Sequence, residues 1–118
     1  MSAITGADDL QGLLVISLEQ AVAAPYAAGR LADAGARVIK VERPEGDFAR
    51  GYDQDAKGHS SYFVWLNRGK ESVALNLKQA EDLQILKNMI SKADIFIQNF
   101  RPGTIERMGL DYESIKKN

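Results

Sequence analysis

The sequence predicts an α/β fold: an open parallel sheet with flanking helices. Three observations carry this. Leu13 to Leu18 is a short, nearly unbroken apolar run, Pro25 to Gly35 brackets an alanine-rich helical segment, and Arg37 to Glu42 is a second short run rich in β-branched residues. A run of four to eight apolar residues is the pattern of a strand buried on both faces of a parallel sheet. Pro25 suits the first turn of a helix and Gly35 the left-handed residue just past its end. Strand, helix and strand within about thirty residues make a βαβ unit.

A second such unit follows a long polar stretch. Arg43 to Ser61 holds Pro44, Gly46, Gly51 and Gly58, and a connection of that length is more often functional than idle. Tyr62 to Leu66 is apolar but too short to assign. Asn67 to Lys70 reads as a turn and Ser72 to Leu77 as a strand. Gln79 to Lys92 is the clearest helix, with Leu83, Leu86, Met89 and Ile90 on one stripe and Glu81 and Asp82 in its first turn. Asp94 to Gln98 reads as a fourth strand, Pro102-Gly103 opens a short helix through Met108, and Asp111 caps a last amphipathic turn. The two substantial helices are too few to cover both faces of a sheet. The sequence therefore predicts either self-association through a bare apolar face or coverage by an unassigned segment, Ser60 to Leu66 being the best candidate.

Composition narrows the chemistry. With 118 residues the chain is one domain, and 45% hydrophobic against 26% charged residues is an ordinary globular balance. Fifteen basic and sixteen acidic side chains give a formal charge of -1, so no global footprint for nucleic acid or an anionic membrane exists. There is no cysteine, which excludes disulfides, thiolate metal sites and a cysteine nucleophile; the lone His59 reads as a loop residue. No apolar run approaches the ~18 residues of a membrane span. These features predict a cytoplasmic protein without metal.

The turn after the first strand is Gln20-Ala21-Val22-Ala23-Ala24-Pro25, which lacks the glycines that let a pyrophosphate approach a dinucleotide fold, and no P-loop is present. Asp47, Asp53 and Asp55 do not have the spacing of a calcium loop and read as solvated acids, while Trp65 and its aromatic neighbours read as core or interface. At the carboxyl ends of strands, the ordinary ligand position, stand Arg43, Lys78 and the segment Gln98 to Arg101. Three cationic segments converging on one sheet edge suit phosphates; solvated loop charges are the alternative.

Several segments in order resemble the class III coenzyme-A transferase family, which includes formyl-CoA transferase, carnitine CoA-transferase and methylacyl-CoA racemase. They are Ala23-Ala24-Pro25, the run from Leu31 through Gly35 and Val38-Ile39-Lys40-Val41-Glu42 to Pro44, Gly46-Asp47, Asn67-Arg68-Gly69-Lys70, Leu75 to Lys78, Asn99-Phe100-Arg101-Pro102-Gly103, and Arg107-Met108-Gly109-Leu110. Each piece is weak, and the ordered set is specific.

The resemblance implies a Rossmann-like N-terminal portion of a longer enzyme whose two copies interlock as a homodimer. Its substrates are an acyl-CoA and a carboxylic acid, with coenzyme A as the transferred group and an aspartyl-CoA thioester as intermediate. By motif, Arg43, Leu75, Lys78, Asn99, Phe100, Arg107 and Met108 match residues around the nucleotide end of CoA. The family's catalytic aspartate lies beyond the position of Asn118, so no catalytic residue is carried over and the chain alone is expected to be inactive. Val22 stands where formyl-CoA-type members carry glutamine, and the flanking segments look like members acting on C4 to C5 dicarboxylates. A racemase-type isomerase and a non-catalytic binding module are the alternatives. The length of the Gly46 to Lys70 stretch favours the transferase over the first.

Overall fold

A computed structural model describes residues 9–116. Four parallel strands form one sheet: β1 (Leu14–Leu18), β2 (Arg37–Glu42), β3 (Lys70–Ala74) and β4 (Ile95–Gln98), in the order β3-β2-β1-β4. Helix α1 (Ala23–Asp33) links β1 to β2, and α3 (Ala80–Ser91) carries the chain from β3 across to β4 on the other side of β1. The chain order therefore reverses between β1 and β4, which opens a crevice at their carboxyl ends.

Period-two alternation sorts the strand residues onto two faces. Ile16, Leu18 and Val41 pack with Leu86 and Ile90 of α3, with Ile105 of α4 (Thr104–Arg107), and with Leu75 and Leu110. Val15 and Val38 pack with Ala28 of α1 and Ala36. The central strand is buried from Val15 to Leu18, as its unbroken apolar run predicts. Alanines at 24 and 28 let α1 lie close to the sheet.

The second helix is the correction that matters most to coverage. Ser61–Asn67 is helical (α2), with the Ser60 hydroxyl accepting from Phe63 N–H at 3.2 Å as its N-cap. It packs beside α1, where a Cβ on Gly29 would lie 3.1 Å from the Leu66 carbonyl oxygen, and it buries Leu66. Both faces of the sheet thus carry helices, and the segment left unassigned helps supply the missing one. Trp65 is not core: it is 55% exposed and leans on Tyr26 and Tyr62, which leans in turn on Tyr52.

Other boundaries shift for identifiable reasons. Helix α1 begins at Ala23, two residues before Pro25, whose missing N–H falls in the first turn where no intrahelical partner exists anyway. Strand β3 runs over Lys70–Ala74 and not Ser72 to Leu77. Gly69, at φ +80°, turns the chain so that the strand starts two residues earlier than expected, and pairing with β2 ends at Glu42, after which Leu75 to Leu77 swing toward α3. The long stretch after β2 is not structureless either. It contains a 3-10 turn at Phe48–Gly51, and Ala56 and His59 pair as an isolated bridge. The chain closes with α5 (Tyr112–Ile115).

Candidate functional site

A cleft of about 640 Å³ opens at the carboxyl edge of the sheet. Its walls come from the ends of β1 (Leu18 to Gln20) and β2 (Val41 to Asp47), the segment Leu75 to Lys78 after β3, and Phe100, Thr104, Arg107 and Met108 after β4. Six of the seven residues singled out by motif line it: Arg43, Leu75, Lys78, Phe100, Arg107 and Met108. The seventh, Asn99, stands behind this wall with its carboxamide bonded to the backbone of Gln20.

Each cation reaches the cleft for a local reason. Arg43 is the first residue after β2, where Gly46 at φ +89° closes a turn back onto the Arg43 carbonyl at 2.9 Å. Its Nε donates to the Gly46 carbonyl at 2.8 Å, and its guanidinium lies 3.9 Å from the centre of the Phe48 ring. Lys78 follows the Asn76 turn, which Asp82 ties down by accepting from Asn76 N–H at 2.8 Å. Arg107 ends α4, and its Nη2 is 3.3 Å from the Thr104 hydroxyl. Arg101, also expected at this edge, is exposed and does not line the cleft.

Charge pairing decides the electrostatic sign. Among the described residues, Arg43, Lys78 and Arg107 form no ion pair. The acids of the cleft are mostly neutralised from behind. Glu42 is paired by Arg50 at 2.8 Å, Glu19 by Lys40 at 3.1 Å and Lys70 at 2.7 Å, and Asp47 by Lys40 at 2.7 Å. Among the described residues that line the cleft, Glu45 is the one carboxylate outside any ion pair, so three cations without an ion pair stand against one such carboxylate. Leu75, Phe100 and Met108 add apolar walls.

The buried charges behind this wall escaped sequence reasoning. Lys40, Glu19 and Asp47 are nearly inaccessible, and Asp47 is therefore not the solvated loop acid its surroundings predict. Lys70 donates to Glu19, to the Pro25 carbonyl and to Asn67 Oδ1; burial pushes its pKa down, with Glu19 opposing. Ser17 donates a very short hydrogen bond to Glu19. The available signal was Lys40 itself: a lysine in the middle of an interior strand must be paired. Asp53 sits apart, accepting from Ser61 and from Asp55 N–H, so the loop acids form no cluster, and no group of residues that could hold a metal ion exists among the described residues.

The sequence model of CoA-transferase family III matches residues 10–118. The chain belongs to this family. An acetyl-CoA:oxalate CoA-transferase of Acetobacter aceti is 46% identical over 107 residues, covering 90% of this chain and 28% of that protein. A succinyl-CoA:mesaconate CoA-transferase of Haloarcula marismortui is 40% identical over 92% of this chain and 29% of its own length. The crystal structure of a CaiB/BaiF family protein from Brucella suis superposes with a TM-score of 0.85 at 37% identity, covering 92% of this chain and 30% of that one. The chain thus spans under a third of the length of these relatives. No helix among the described residues is long and apolar enough to cross a membrane.

Proposed function

We propose that this chain is the N-terminal, nucleotide-facing part of an enzyme that transfers coenzyme A between carboxylic acids, dicarboxylates among them. The observation that carries the reading is the cleft's charge pattern: three unpaired cations beside apolar walls, at the sheet edge where α/β folds bind ligands. A guanidinium can pair with phosphate and stack on adenine, while Lys78 supplies a point charge. Leu75, Phe100 and Met108 would receive the flat base, and Arg43, Lys78 and Arg107 the phosphates, with Asn99 supporting the same site from behind.

The dicarboxylate part is supported by the relatives, whose names include oxalate, mesaconate, glutarate and malate. Mesaconate, glutarate and malate are C4 to C5 acids and oxalate is shorter, so the reading extends to dicarboxylates as a class, with C4 to C5 acids the narrower form of it. The nucleophile, on the family resemblance, is an aspartate carboxylate supplied by sequence after Asn118. Attack on an acyl-CoA releases CoA thiolate and leaves an acyl-aspartate anhydride; the thiolate then attacks the aspartyl carbonyl, giving the aspartyl-CoA thioester and the donor carboxylate. The acceptor carboxylate reverses these two steps. In this reading the 118 residues alone transfer nothing. The native enzyme is a cytoplasmic homodimer, an assembly that would cover the exposed run Tyr52, Tyr62, Trp65 and Tyr26.

Calorimetric titration of the complete polypeptide with CoA tests the site. Arg43→Ala and Arg107→Ala should each weaken binding roughly ten- to a hundredfold, the value of one charge-assisted contact. Arg30→Ala, on α1 and outside the cleft, should change it little. Equal losses from all three would point to nonspecific attraction and overturn the reading.

A further inference from the structure

The crevice between β1 and β4 is closed by a clasp. Asn99 Oδ1 accepts from Gln20 N–H at 3.2 Å, and Asn99 Nδ2 donates to the Gln20 carbonyl at 2.8 Å. The next residue, Ala21, has a φ of +65°, the left-handed region in which a Cβ is penalised. Its N–H donates to Asp47 Oδ1 at 2.9 Å, and Asp47 is buried and anchored by Lys40. One strained turn is therefore gripped by side chains 26 and 79 residues away in sequence. Such backbone persists only where its surroundings over-determine it, and it concentrates at functional sites. Glu19 and Gln20, the residues leading into the turn, line the cleft.

We infer that the side chain of Asn99 is a positioning residue, acting on the bound ligand through the Gln20-Ala21 backbone. It holds that turn as a preformed wall of the cleft. Asn99 does not line the cleft, and both polar atoms of its carboxamide are committed to Gln20. Without the clasp Ala21 relaxes toward ordinary φ, only a fraction of molecules keeps the wall in place, and affinity falls by that fraction. The strain of one left-handed alanine sets the scale, a population change of roughly five- to thirtyfold. The inference rests on the reading of the cleft as a CoA site.

The test uses the complete polypeptide with Asn99→Ala, Ala21→Gly and the double variant, reading CoA affinity by calorimetry and amide exchange at Gln20 and Ala21. Asn99→Ala should speed both amides and weaken CoA about five- to thirtyfold. Adding Ala21→Gly, which accepts φ +65° without penalty, should restore most of that affinity, and Ala21→Gly alone should bind no worse than wild type. Should Asn99→Ala fail to fold, Asn99→Asp gives the same comparison, keeping the acceptor for Gln20 N–H and losing the donor. An affinity loss with unchanged exchange, a loss that Ala21→Gly does not relieve, or no loss at all overturns the inference. Wild-type protein that binds no CoA defeats the reading of the cleft and this inference with it, whereas any of the three preceding results with CoA-binding wild type defeats this inference alone.

Discussion

Methionine in place of Lys40 is expected to lower the unfolding free energy by about 3–5 kcal/mol, the usual consequence of removing one partner from a buried ion pair. Lys40 and Lys70 balance Glu19 and Asp47 in a cluster whose four side chains are 0–1% exposed. Methionine fills the volume of the lysine stem but leaves one carboxylate charge uncompensated beneath α1 and α2. Glu19 would keep Lys70 and Ser17, and Asp47 would keep only the backbone N–H groups of Ala21 and Ala49. Denaturant unfolding at neutral pH measures the loss. A loss below about 1 kcal/mol, the worth of a surface pair, would show that water reaches this cluster.

Acid unfolding should carry a second large signature, from Glu42. Burial raises its pKa, but hydrogen bonds from Arg50, Ser72 and the Asp47 N–H outweigh burial, with the Arg50 charge adding to them, and hold it at about 2. A carboxylate depressed in the folded state contributes stability that is complete above its unfolded value, about 4.5, and is lost as pH falls toward 2. The shift sets an upper bound of about 3 kcal/mol, which solvent around the half-exposed Arg50 guanidinium reduces. Urea unfolding of wild type and Glu42→Gln between pH 5 and pH 2 should therefore converge at the acid end, with wild type the more stable near neutrality. Parallel profiles would assign the acid sensitivity to other groups.

These charges mark where the sequence was hard to read. Strands β1 and β2, helix α3 and strand β4 announce themselves because burial on both faces leaves apolar runs and packing on one face leaves a helical stripe. Six of seven motif residues meet in one cleft because strand ends in a parallel sheet share an edge. Helix α2 was illegible: seven residues with Tyr62, Val64 and Trp65 exposed show no amphipathic period, and its start depends on the Ser60 cap. The end of β3 is masked in the sequence because the alternation Val73, Leu75, Leu77 continues past the last partner on β2; those leucines serve the α3 face from outside the ladder. Asp47 resembled a loop acid since nothing local reveals that Lys40, seven residues earlier, turns inward beneath α1 and α2. The left-handed Ala21 carries no sequence mark either, as glycine would have.

The cleft at the carboxyl edge of the sheet is proposed to hold the nucleotide end of coenzyme A. A crystal structure of the complete polypeptide with CoA tests it most directly. Phosphate oxygens are expected within hydrogen-bonding distance of Arg43, Lys78 or Arg107, and adenine against Leu75, Phe100 and Met108. CoA bound elsewhere, with these three cations facing solvent, would contradict it.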